Sequence, residues 1–159
     1  MHVTFVTDPR GRRILEIDDA RIIWPNFSGR PDEFTREGDR SFDLVIPNED
    51  IANEMINDKN EFGVGWNVKI KPPREEGDTA FIHMKVKVKF NGRGPNIYLI
   101  NGDVKRELDE ESVGMLDEID IDHVDLDIRP YDDEGRFGPF RAAYLQNMRV
   151  FMRSNRFAD

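Results

Sequence analysis

The stretch Phe81 to Phe90, FIHMKVKVKF, alternates polar and apolar side chains in a way that no helix can satisfy. In a strand, successive side chains point to opposite faces. Ile82, Met84, Val86, Val88 and Phe90 therefore share a face fit for a core, while Phe81, His83, Lys85, Lys87 and Lys89 share the other. Such a segment demands a sheet with one apolar side, and here the opposite side is cationic. The segment GWNVKIKPP repeats the pattern, with Trp66, Val68 and Ile70 inward and Asn67, Lys69 and Lys71 outward, until Pro72 and Pro73 stop it.

The flanking chain is read the same way. Arg13 to Pro25 and the run from Arg40 to Pro47 are rich in Ile, Leu and Val and read as strands. After Pro47, Asn48 is placed to cap a helix that ends near Asp58, with Glu49 and Asp50 in its first turn and an apolar stripe at Ile51, Ala52, Met55 and Ile56. Asn91-Gly92 supplies the positive φ angles of a tight hairpin, so an antiparallel meander of 81–90, 96–101 and about 104–108 is expected. Asp109 opens a second short helix weakened by Gly114. In IDIDHVDLDI the apolar phase slips near Asp122–His123, which predicts a β-bulge. RAAYLQNMRVFMR reads as a last strand with Tyr144, Met148, Val150 and Met152 on one side and Arg141, Arg149, Phe151 and Arg153 on the other.

These elements predict a mostly β chain with two short helices, arranged as an OB-fold-like antiparallel barrel with inserted helices. The boundaries expected are a flexible N-terminal extension at 1–12, one domain at 13–153 and a tail at 154–159. No cysteine is present, which excludes disulfides, thiol catalysis and Cys-held metals. No run is apolar enough to cross a bilayer, so a cytoplasmic protein without a membrane partner is expected.

The formal net charge of −9 conceals an uneven distribution. Residues 59–106 carry +5 and 136–159 carry +4, against −6 for 1–58 and −12 for 107–135. Two basic segments can thus converge in the fold although the whole is acidic. The lysine rows are open to two readings. Lysines on a strand protect sheet edges from pairing; they also neutralise the backbone of an unpaired nucleic-acid strand when aromatic side chains stand beside them to stack on its bases. Lys69, Lys71, Arg74, Phe81, His83, Lys85, Lys87, Lys89, Arg93, Tyr98 and Arg149 are the candidates for that second role, and Trp66 has the phase of a core residue.

The acidic run Asp117 to Asp127 alternates with Ile, Val and Leu as a solvated strand face does, and lacks the glycine and closing Glu of a calcium loop. His2, His83 and His123 are too scattered for a helical metal motif, and neither a nucleophile elbow nor a phosphate-binding loop occurs. No catalytic residue, metal or cofactor is implied, and the chain reads as a non-enzyme.

The segments GWNVKIKPP, VKVKFNGRGPNIYLING, LDEESVGMLDEIDIDHVDLDIRPY and RAAYLQNMRVFM resemble the bacteriophage OB-fold single-stranded DNA-binding proteins, over roughly Arg13 to Met152. The resemblance implies sequence-tolerant binding to single-stranded DNA, protection of replication or recombination intermediates in the host cytoplasm, and contacts with phage replication or recombination proteins. Two alternatives stay open on sequence: an acidic mimic of nucleic acid that inhibits a host defence enzyme, or a phage structural module that binds no DNA. Oligomeric state is also open, a dimer included.

Overall fold

The computed structural model describes residues 1–92 and 94–153. In chain order the elements are β1 (His2–Thr7), β2 (Arg13–Asn26), β3 (Arg40–Val45), α1 (Glu49–Asn57), β4 (Lys69–Lys71), β5 (Phe81–Val88), β6 (Asn96–Asn101), β7 (Val104–Leu108), a 3-10 turn (Val113–Asp117), β8 (Ile121–Gly135) and β9 (Gly138–Met152). Strand accounts for 51% and helix for 9%, and five strands close into an OB-fold-like barrel.

Antiparallel pairing joins β5 to β3, β3 to β2, β2 to β8 and β8 to β9, and a parallel contact of β5 with β9 at Lys87 and Tyr144 completes the ring. The alternation in the sequence explains why these strands curl. Their apolar faces, including Leu15, Ile17, Phe42, Leu44, Val86 and Ile128, are all buried in one core. Each such side chain contributes about 1.5–3 kcal/mol on leaving water. The side chains of Ala52 and Met55 on α1 are buried in the same core, and the Trp66 backbone N–H reaches the Met55 carbonyl at 3.2 Å. As its sequence predicts, α1 is capped by Asn48, whose side-chain oxygen accepts from the Ile51 N–H at 2.9 Å.

Four expectations change. First, β5 and β6 do not form a hairpin. Both strands run parallel to β9 along the same edge, and β6 pairs antiparallel with β7. Second, the stretch expected to be a flexible extension, 1–12, contains β1, which pairs with β2 from His2↔Asp18 to Thr7↔Arg13. The β3 pairing begins only at Arg21, so β1 covers the part of that β2 edge which would otherwise stand unpaired. Third, the second helix is a 3-10 turn. Asp109 still takes the N–H groups of Glu111 and Ser112, and Gly114 sits where a Cβ would meet Ser28 at 3.2 Å.

The bulge near Asp122–His123 is present, as a register shift between Ile121 and His123. The fourth change follows from another bulge. Gln146 is passed over in the pairing of β9 with β8, so Arg141, Ala143 and Leu145 point inward before it and Met148 and Val150 after it. Tyr144 is therefore turned outward and Arg141 inward, the reverse of the sequence assignment. Arg141 is buried with its guanidinium 4.8 Å from the Trp66 ring, bonded to both oxygens of Asp132 and to the Asp58 carbonyl.

Candidate nucleic-acid interface

The outer face of β5 carries Lys85 and Lys87, and Lys89 follows just past its end, all three exposed. Lys85 lies opposite Asp43 of β3 and Lys87 opposite Ser41. Asp43 would be the natural counter-ion for Lys85, but its carboxylate is held by His83 Nδ1 at 2.6 Å. The lysines line a groove of about 380 Å³ together with Arg40, Phe90, Tyr144 and, from the loop between β2 and β3, Phe34.

Barrel closure gives this groove its aromatic wall. The parallel contact sets Tyr144 against Lys87, whose ammonium lies 5.9 Å from the ring centroid, while Arg129 of β8 lies 4.9 Å from the same ring. Tyr131 follows edge-on at 6.0 Å from Tyr144, and Phe140 lies 6.2 Å from Tyr131. A cationic row thus continues onto an aromatic row across two strands distant in sequence. Asp32, on the loop beside the groove, is held below its usual carboxylate pKa first by the Phe34 N–H, then by Thr35 and the charge of Lys85, against an opposing desolvation.

At the other end of β5, Lys71 of the short edge strand β4 pairs with Phe81 and Lys69 with His83. Both lysines are exposed, and so is Arg74 beyond them. Phe81 is part-exposed as expected, but His83 is not a surface group. It is 6% exposed, stacked on Phe81 at 5.0 Å, tied to Asp43, and its Nε2 is buried without a hydrogen-bond partner among the described residues. Its phase is that of the lysines, but Trp24 reaches over it from β2.

Trp24 was missed in the sequence because β2 has no clean phase. The strand carries register shifts between Ile17 and Ala20 and between Ile23 and Asn26, and Trp24 sits in the second at φ 51°. A bulky residue held at positive φ costs about 1–3 kcal/mol. Its ring meets His83 edge-on at 5.1 Å and Phe81 at 5.8 Å, with the Lys71 ammonium 5.8 Å away. The one sequence signal was an aromatic before a proline at a strand end, which marks a bulge only weakly. Tyr144, Arg129, Arg40 and Phe34 were missed for a different reason, since only pairing between distant strands and loops brings them to β5.

Tyr98 and Arg149 are not brought to the lysine groove. They are partners in the β6–β9 pairing and line a separate depression with Glu16, Asp18, Asp125 and Asp127. With β6 paired to β7 and β9 instead of across a hairpin from β5, Tyr98 is not carried onto the lysine face. Its ring is covered by the Lys105 ammonium at 4.2 Å, and Arg149 pairs with Asp125 at 3.4 Å. Arg93 and the tail 154–159 lie outside the described residues.

The acidic segment does structural work in several places. Asp117 binds the N–H groups of Phe27 and Ser28 and the Ser28 hydroxyl, anchoring the loop between β2 and β3. Asp125 accepts from the Asp19 N–H, and Asp127 accepts from Asn147. Among the described residues, no group of three His, Asp or Glu side chains is arranged to hold a metal ion.

A barrel with a lysine-lined, aromatic-walled groove on its outer face is the architecture of a single-strand nucleic-acid binder. A family model described as a putative phage ssDNA-binding domain matches residues 7–159, and the chain belongs to that family. Solved structures of the single-stranded DNA-binding protein from bacteriophage Enc34 share its fold. One is 15% identical with a TM-score of 0.53 and is covered over 94% of its length by 100% of this chain. The same phage protein in complex with ssDNA is 12% identical with a TM-score of 0.53, at 98% coverage of both chains. No curated protein matches the chain in sequence.

Proposed function

We propose that the chain binds single-stranded DNA along the outer face of β5 with little dependence on base sequence, and so protects single strands during phage DNA replication or recombination. The observation that carries this reading is the groove in which Lys85, Lys87 and Lys89 lie against Tyr144. The lysines match a phosphate backbone, and the half-buried Tyr144 ring matches the open face of an unpaired base, which a duplex keeps stacked. Membership of the phage family supports the same reading. Protein partners on this view are other phage replication or recombination proteins, met in the host cytoplasm; no helix among the described residues is long and apolar enough to cross a membrane.

The test is fluorescence anisotropy with a labelled oligo-dT and a labelled duplex of equal length over a series of salt concentrations. Four to six neutralised phosphates give a slope of log K on log salt of roughly −3 to −4. A flat salt response, or tighter binding to the duplex, refutes the proposal.

A further inference from the structure

The lysine groove accounts for phosphates and for stacking at Tyr144, but not for the aromatic group at the opposite end of β5. Trp24 is 57% exposed, so burial does not explain why the chain keeps it there. It is held at positive φ in a bulge, a device that re-aims a side chain at a cost in backbone strain. The rings beneath it are fixed: Phe81 stacks on His83, and His83 is locked by Asp43. Both rings meet the indole edge-on while much of the indole faces solvent, and the Lys71 ammonium stands over it 5.8 Å from the ring centroid.

We propose that Trp24 is the stacking platform for one unpaired base at this end of the path, with Lys71 taking the adjoining phosphate. The inference rests on the reading of β5 as a single-strand path, which it extends from Lys85 across Phe81 to β4. Six residues separate Phe81 from Lys87, a span of roughly 20 Å along the strand. Binding therefore involves bases at both ends of β5 rather than a single contact at Tyr144.

The protein carries two tryptophans, and Trp66 is buried, so indole fluorescence on binding reports Trp24. Oligo-dT quenches the wild-type emission, and Trp24→Phe abolishes the quench. Trp24→Ala weakens binding about 5- to 150-fold, the range expected for loss of one stacked base, with the salt slope unchanged because no phosphate contact is lost. Trp24→Phe recovers most of that loss. If the triple Lys85→Gln, Lys87→Gln, Lys89→Gln loses affinity while Trp24→Ala binds as wild type, or if bound oligo-dT leaves the wild-type emission unchanged, the platform is refuted and the groove stands. If the triple binds as wild type, the groove reading itself fails.

Discussion

Neutralising Lys85, Lys87 and Lys89 together to Gln tests the groove against the alternative that the row only protects a sheet. The stripe is separable from the core, because Val86 and Val88 between these lysines point the other way and are buried. Each lost phosphate contact removes about 0.7 from the salt slope for a single strand, so the triple should be shallower by about two units. Between 50 and 200 mM salt a wild-type slope near −3.5 weakens binding roughly 100-fold, whereas the triple should weaken only about 7-fold. Stability should change by less than about 1 kcal/mol, the scale of the cation–π contact of Lys87 with Tyr144. Anisotropy titrations of labelled oligo-dT read the slope, and denaturant unfolding reads the stability. The matched control is Lys59→Gln, Lys105→Gln, Arg106→Gln, which removes the same charge from other surfaces. Equal effects of both triples would show that net charge rather than the groove governs binding, and an unchanged slope in the first would show that these lysines contact no phosphate.

Tyr98→Ala should leave oligo-dT affinity within about two-fold, since it lines a separate depression with Glu16, Asp18, Asp125 and Asp127, whereas Tyr144→Ala should cost about 1–3 kcal/mol of binding; equal losses in anisotropy titrations contradict the placement of the groove. Arg141→Met should destabilise the fold by about 3 kcal/mol in denaturant unfolding, because it strands Asp132 and uncovers Trp66; a loss under 1 kcal/mol contradicts the buried network. Asn48→Ala should cost about 1 kcal/mol through the lost cap of α1, measured the same way. The Asp109 carboxyl is held below its usual 3.8 first by the Ser112 hydroxyl and then by the Ser112 N–H. Its stabilising effect is therefore fully present above about pH 4 and lost as pH falls through the lower folded value, and an NMR titration midpoint at or above 3.8 refutes it.

Much of the fold is legible in local pattern. The alternation in β5, the Asn48 cap and the phase slip at Asp122–His123 each follow from a few adjacent residues, because strand pleat, helix capping and bulge are local geometries. The same locality exposes Lys85, Lys87 and Lys89 as one charged face before any partner is known. Where the reading failed, the missing information was non-local. Asn91-Gly92 is compatible with a hairpin, and only the free edge of β9 draws β6 away from β5.

The sequence by itself determined that this chain builds a β-sheet with an apolar inner face, and that one outer face of it is cationic, because side-chain alternation follows from backbone geometry alone. The tertiary structure decided which residues share that face. Tyr144 and Arg129 join the lysines because the barrel closes at Lys87, Trp24 reaches Phe81 because of a bulge, and His83 is buried because Trp24 and Asp43 enclose it. Those outcomes depend on register between strands far apart in the chain, which is set by the collective burial of the core rather than by any short run of residues.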